Sequence, residues 1–483
     1  MSDQFVRAIK SENNWKLTEN GADSLKSTSN DLLDLFAVVG AMRTRDERDI
    51  QTMFSKALSQ DKLLAMKMSF YARNIRGGLG ERRTPRIIWK WLAQIYPDLI
   101  VKNIDLIPLF GRWDDLYEFV GTPVEPIMWE TIKKQFDEDL SSLRKGDNVS
   151  LLAKWLKSIN TSSRESSTLG KLTAKKLELT ERQYRKALST LRAKIDVVER
   201  RMTNSDWESI KYQGVPSKAM TNYRNAFKKH DEAGFAEYMA KVESGEAKIN
   251  SSTLYPYDII EKVFLGEYNA VLEAQWKALP NYVEGDNNIL VMADVSGSMN
   301  GRPMATSVGL AIYFAERNHG VFHNKFMTFS GNPDFVELKG NTLYERAMNA
   351  RGAHWDMNTD IEKAFKLILN TAVNNHLSQY DLPKSLVIIS DMEFDRCTGT
   401  GRKTYYQHMK ELYASNGYEL PKVIFWNVSA RSNTFHAQPE DGVQFASGQA
   451  TSVFQSIIKN SELGAYEMMV ETLSDPIYDV VKI

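Results

Sequence analysis

The apolar residues of this chain change their spacing once, at the polar stretch "LPNYVEGDNN" (279–288), and that change limits what the chain can fold into. Before it, "DLLDLFAVVGAM" (31–42), "TMFSKALSQDKLLAMKMSFYARNI" (52–75), "RIIWKWLAQIY" (86–96) and "RWDDLYEFV" (112–120) place apolar residues three and four apart, the spacing of amphipathic helices. Short turns at 77–85, 96–98 and 109–113 punctuate them, so residues 1–280 are expected to form an all-helical region of stacked antiparallel pairs. After it, apolar runs of strand length (289–295, 325–330, 334–339, 385–394, 422–430, 442–447) alternate with helical patterns (305–318, 359–375, 405–417, 451–460). That alternation predicts a doubly wound α/β domain over 285–460, with a largely parallel sheet covered on both faces. Residues 461–483 read as a short helix and strand packing back on the helical region. The Ser- and Thr-rich stretch 161–170 reads as a loop.

A chain of 483 residues is long enough for two or three domains. Its single cysteine, Cys397, rules out an intramolecular disulfide and a thiolate zinc cluster. The first residues lack the apolar core of a signal peptide, and no apolar run approaches the ~20 residues that span a bilayer. A cytoplasmic protein without a membrane segment is the expectation. Enzyme chemistry finds little support: His319 and His323 flank Gly320 in a loop-like stretch, there is no H-E-x-x-H, and Ser296 sits in D-V-S-G-S rather than G-x-S-x-G. No enzymatic activity is expected.

The stretch "ILVMADVSGSMNG" (289–301) runs a buried strand into Asp294, Ser296 and Ser298. Asp391 follows a later strand, and Thr359 opens the helix between them. In a doubly wound sheet all five fall at the carboxyl edge, where ligands bind. Every group supplies oxygen, which suits a hard cation, Mg²⁺ or Mn²⁺, still holding some water. Two carboxylates leave such an ion electrophilic enough to take a carboxylate from outside. The alternative is a serine-rich turn whose hydroxyls cap a helix. Asp356, Asp360, Glu393 and Asp395 lie close in sequence and read as solvated loop residues.

"DVSGSM", a Thr ahead of a helix, and "SDMEF" resemble the metal-ion-dependent adhesion site (MIDAS) of von Willebrand factor A domains. That resemblance implies hydroxyl ligands at Ser296, Ser298 and Thr359, with Asp294 and Asp391 acting directly or through water. "RNIRGGLGERR", "LIPLFGRWDDL", "VVERRMTNSDWESIKYQGVPSKAM" and "VIFWNVSA" resemble the signature segments of an uncharacterised family. Its members join a helical (TROVE-like, HEAT-like) region to a von Willebrand A (Rossmann-like) domain. The layout is similar to that of the Ro autoantigen proteins, whose helical rings bind RNA on basic surfaces. RNA and a protein offering Asp or Glu to the metal are the partners this implies.

Net charge is zero, so any hold on nucleic acid must be local. Between residues 144 and 230, 20 Lys and Arg face 8 Asp and Glu. Lys175, Lys176, Arg182, Arg185, Lys186, Arg192, Lys194, Arg200 and Arg201 are candidate phosphate contacts, and Tyr184, Trp207, Tyr212 and Tyr223 candidate stacking rings. A solvated helix face with core aromatics explains the same pattern. "IRGGLGERR" (75–83) has glycines that permit phosphate binding but lacks a P-loop Lys-Ser/Thr. A turn with Glu81 and Arg82 locking neighbouring helices is favoured. Three functions follow: RNA binding with a metal-dependent partner site, a protein-interaction scaffold without RNA, and, least favoured, a metal-dependent hydrolase.

Overall fold

The computed structural model describes residues 9–285, 288–329, 331–353, 360–396 and 403–483. A helical region precedes a mixed sheet flanked by helices, an α plus α/β architecture. Caps set the helix boundaries more finely than periodicity does. The expected helix at 52–75 is two: Asp61 is extended, ends Glu47–Gln60, and accepts the Leu64 amide to start Lys62–Arg73. Residues 180–202 likewise form two helices rather than one. Thr180 and Gln183 form a capping box on Glu181–Ile195, Asp196 turns left-handed at φ 58°, and Val198–Thr203 follows. Residues 161–170 are not all loop. Ser163 accepts the Ser166 amide at 3.2 Å and opens the helix Arg164–Lys176, so the hydroxyls that signalled a loop serve as a cap.

The first two strands are short, β1 (Trp15–Leu17) and β2 (Asp23–Leu25), paired antiparallel as a hairpin after a helical turn at 9–13. The main sheet is built from β3 (Ile289–Asp294), β4 (Lys325–Phe329), β5 (Asp334–Glu337), β6 (Ser385–Ser390), β7 (Lys422–Asn427) and β8 (Gln444–Ser447). Its order is β5-β4-β3-β6-β7-β8, with only β5 antiparallel. All six residues of β3 and of β6 are buried, so both faces of the centre are covered. This is why those strands read as unbroken apolar runs. The chain leaves β3 toward β4 on one side and returns to β6 on the other. The carboxyl ends of β3 and β6 therefore flank a topological switch point.

The two regions share one continuous apolar core, while residues 198–271 contribute a second, smaller one. They meet closely at Gly40. Its N–H donates to Ser447 Oγ at 3.0 Å, Ser447 donates to the Phe36 carbonyl, and a Cβ there would fall 2.7 Å from Gly448 backbone. The chain also crosses over at both ends of the described structure. The β1–β2 hairpin bonds to the sheet region through Leu25 and Phe435. Tyr478 stacks on Phe110 in the helical region, and Lys482 is held by Asn103 through two hydrogen bonds.

Candidate metal centre and a basic cavity

β3 delivers Asp294 to the switch point fully buried. One carboxylate oxygen accepts the Ser296 amide at 2.9 Å and the other accepts Ser390 Oγ at 2.5 Å. Ser296 Oγ and Ser298 Oγ lie 3.2 Å apart. Asp391, directly after β6, is buried. It accepts the Glu393 amide at 3.2 Å and Arg431 Nη2 at 2.9 Å. Arg431 Nη2 also donates to the Ser298 carbonyl at 3.1 Å. Burial raises both carboxyl groups above the ordinary range, and for Asp294 the neighbouring Asp391 charge adds to the shift.

These residues fit a hard divalent ion. The donors are oxygen alone, and ligands at ~2.0–2.1 Å in an octahedron sit about 3 Å apart, near the Ser296–Ser298 spacing. Two buried carboxylates served by a single cation, Arg431, are the environment a metal would relieve. Among the described residues no group of three or more His, Cys, Asp or Glu is placed to hold a metal. Thr359 and Asp356 lie outside the described residues, as does Cys397.

A cavity of about 1260 Å³ opens between the helical region and the sheet region. Eleven Lys and Arg line it against three Asp and Glu, together with Trp155, Tyr223 and Tyr257. Behind the wall lies an Arg–Asp lattice. Asp115 is fully buried and accepts Arg73 Nε at 2.8 Å and Arg86 Nε at 2.6 Å. Asp114 meets Arg112 at 3.0 Å, and Arg82 and Arg86 at 3.1 Å each. Burial pushes Asp114 up, but Arg112 and Arg86 outweigh it and hold it below the ordinary range. Six lining cations have carboxylate partners: Arg43, Arg73, Arg82, Arg112, Arg201 and Lys218. Among the described residues Arg76, Arg83, Lys154, Lys211 and Arg302 have no carboxylate partner, although Arg76 donates to the Leu109 carbonyl at 2.5 Å, Arg83 to the Arg45 carbonyl at 2.8 Å and Arg302 to Gln449 Oε1 at 2.9 Å. Arg302 lies 4.0 Å over the Tyr257 ring and Arg112 4.0 Å over Trp155, so these rings are already half covered.

A family model described as a domain of unknown function (DUF2828) matches residues 18–132 and 130–287, more than half of the chain. The chain belongs to the DUF2828 family. A second domain of unknown function, DUF7788, matches residues 288–476. The DUF2828 chain is similar to uncharacterized protein L728 of Acanthamoeba polyphaga mimivirus, 27% identical over 506 residues, covering 95% of this chain and 87% of that protein. Among solved structures it is similar to the Ro (RSR) protein of Deinococcus radiodurans, at 13% identity and a TM-score of 0.47, covering 90% of this chain and 100% of that one.

In the DUF2828 chain, four of the five expected metal-site residues come together: Asp294, Ser296, Ser298 and Asp391. Among the described neighbouring acids, Glu393 departs from the solvated loop residue expected. Glu393 is buried and accepts the Glu19 amide at 2.7 Å and Thr434 Oγ1 at 3.1 Å. Asp360 caps the helix Ile361–Asn374, and Asp395 bridges to Gly21.

Of the nine expected phosphate contacts only Arg201 lines the cavity, and it is held by both oxygens of Asp196 at 2.7 and 2.9 Å. Arg192 is spent internally, donating to the carbonyls of Ala153 and Leu156, each at 2.8 Å, and to Ser158 Oγ at 2.9 Å. Lys194 donates to the Gly146 carbonyl at 2.6 Å, Lys176 pairs with Glu125 at 3.4 Å, and Arg185 donates to the Glu181 carbonyl at 3.3 Å. Lys175, Arg182, Lys186 and Arg200 are exposed. Tyr184 and Tyr212 are core residues, Trp207 stacks on His230 at 4.4 Å, and Tyr223 alone of the four rings reaches the cavity.

The cavity cations that composition missed come from several separate segments. One signal was present in "IRGGLGERR". Gly77, Gly78 and Gly80 line the cavity, while Glu81 holds Arg43 and Arg82 holds Asp114 as a helix-locking turn would. Gly80 sits at φ +63°, and a Cβ there would strike the Tyr255 hydroxyl.

Proposed function

We propose that this chain is a non-enzymatic RNA-binding protein that takes unpaired RNA into the arginine-lined cavity, and that its sheet edge is a von Willebrand A-type site for Mg²⁺ or Mn²⁺. The observation that carries the RNA reading is the cavity itself. At about 1260 Å³ it exceeds the ~300–1,000 Å³ of ordinary small-molecule clefts, and its cations outnumber its acids eleven to three. Phosphates neutralise such a surface, and Trp155 and Tyr223 offer rings at which unpaired bases stack. At the sheet edge Asp294, Ser296, Ser298 and Asp391, with Thr359, would hold the ion. When bound, it supplies an electrophilic position for a carboxylate of a protein partner.

The test is binding of a fluorescent single-stranded RNA to the whole chain across a salt series. Four to five phosphate contacts give a slope of about −3 in log K against log salt. Arg76→Glu with Lys211→Glu is expected to weaken binding at least tenfold, and EDTA to leave it unchanged. No affinity at low salt would overturn the reading. The second reading is a scaffold that binds an acidic partner through the metal without RNA. It is favoured by the six cavity cations already paired with carboxylates. Partner capture lost with Asp294→Ala or EDTA, in a chain that ignores RNA, would select it.

A further inference from the structure

We propose that Arg431 is the resident cation of the sheet-edge site, latched there by Glu19 of the N-terminal hairpin, so that metal loading and hairpin docking oppose each other. This rests on the reading of that edge as a divalent-metal site.

The β1–β2 turn is anchored on the loop that follows Asp391. Thr18 Oγ1 donates to the Phe394 carbonyl at 2.7 Å, Asn20 Nδ2 donates to the Glu393 carbonyl at 2.6 Å, and the Glu19 amide donates to Glu393 Oε2 at 2.7 Å. These bonds fix the turn and aim the Glu19 carboxylate outward. There it accepts Arg431 Nη1 at 2.7 Å, while Arg431 Nη2 holds Asp391 Oδ2 at 2.9 Å and the Ser298 carbonyl at 3.1 Å. One guanidinium thus bridges the hairpin to two residues of the donor set. Asp391 is fully buried and Glu19 is exposed, so the outer half of the bridge exchanges with solvent far more readily than the inner half.

A guanidinium on Asp391 and a divalent ion drawing on the same carboxylate repel each other. Loading the ion drives Arg431 off Asp391, and with it goes the fork that ties Glu19 to the edge. A lysine cannot keep the bridge, because its single ammonium lacks the two-pronged geometry. Arg431→Lys therefore separates the latch from the mere presence of positive charge.

The test uses the whole chain, with Mn²⁺ alone titrated by calorimetry and hydrogen exchange followed over residues 15–25. Arg431→Gln and Arg431→Lys are both expected to bind Mn²⁺ at least fivefold more tightly than the unaltered chain. Mn²⁺ is expected to speed exchange of the β1–β2 turn in the unaltered chain but not in Arg431→Lys, where the tie between residue 431 and Glu19 is already gone. If Arg431→Lys matches the unaltered chain in affinity, or Mn²⁺ leaves hairpin exchange unchanged, the latch is overturned while the metal site stands. If no variant takes up Mn²⁺, and Asp294→Ala changes nothing, the metal reading itself has failed.

Discussion

At the sheet edge two buried aspartates, Asp294 and Asp391, are served by one half-exposed arginine, whereas in the cavity wall Asp114 alone is touched by three. The same side chain, buried in both places, is moved in opposite directions: up at the edge and down in the wall. Burial raises both, and the supply of positive charge decides the sign. The wall carries more cations than its acids pair with, and under the proposed function the remainder would meet an anion. The edge buries two carboxylates beside one guanidinium, and under the proposed function that imbalance is what a cation would relieve.

The largest expected effect tests the wall. Asp115→Ala leaves Arg73 and Arg86 buried without one of their partners and is expected to cost about 3–5 kcal/mol, read as a lowered denaturation midpoint. Asp294→Asn at the edge removes a buried charge instead of a partner, so it is expected to leave the metal-free protein as stable or raise its midpoint. Equal losses at both positions would erase the contrast.

Next comes the response of the edge to metal. Raised carboxyl groups hold protons that the unfolded chain has released. Metal-free stability from these groups is therefore present at low pH and lost as pH rises through their elevated folded values. A divalent ion replaces those protons. Mg²⁺ at 100 times its dissociation constant should stabilise by about 2.7 kcal/mol near pH 7.5 and by clearly less near pH 5, where protons compete.

His436 gives an effect of similar size and opposite sign. It is fully buried near Met392, donates from Nε2 to the Met392 carbonyl at 2.8 Å, and burial pushes it down to about 4. The unfolded chain binds the proton first, so this contribution is lost as pH falls from about 6.5 toward 4, on the order of 3 kcal/mol. Comparing the pH–stability curves of the unaltered chain and His436→Phe isolates it, and parallel curves would refute it. Smallest is Thr180→Ala, which removes half of a capping box and is expected to cost about 1 kcal/mol, with hydrogen exchange rising in the first turn of Glu181–Ile195.

The edge was legible in the sequence because its residues sit at fixed offsets from apolar strands. Asp294 ends Ile289–Asp294, Asp391 follows Ser385–Ser390, and sheet topology brings those two ends together. The cavity was not, because Arg43, Arg76, Arg112, Lys154, Lys211 and Arg302 come from separate segments whose convergence depends on tertiary packing. Counting charge over a window found Arg192 and Lys194 instead, and both are spent on backbone carbonyls. Helix ends failed for a local reason. Asp61 and Asp196 interrupt patterns whose apolar spacing continues across them. The hairpin at Trp15–Leu25 escaped notice because three-residue strands carry too little periodicity to register.

Thr18, Glu19 and Leu25 find their partners at Phe394, Arg431 and Phe435, some 400 residues downstream. At about 5–20 residues per second of synthesis, the first two strands wait roughly 20–80 seconds on the ribosome before their docking surface exists. Throughout that interval the hairpin is a loose leader that any chaperone or protease can reach. A pulse-chase experiment would find it cleavable in nascent chains and sheltered soon after the last strand emerges.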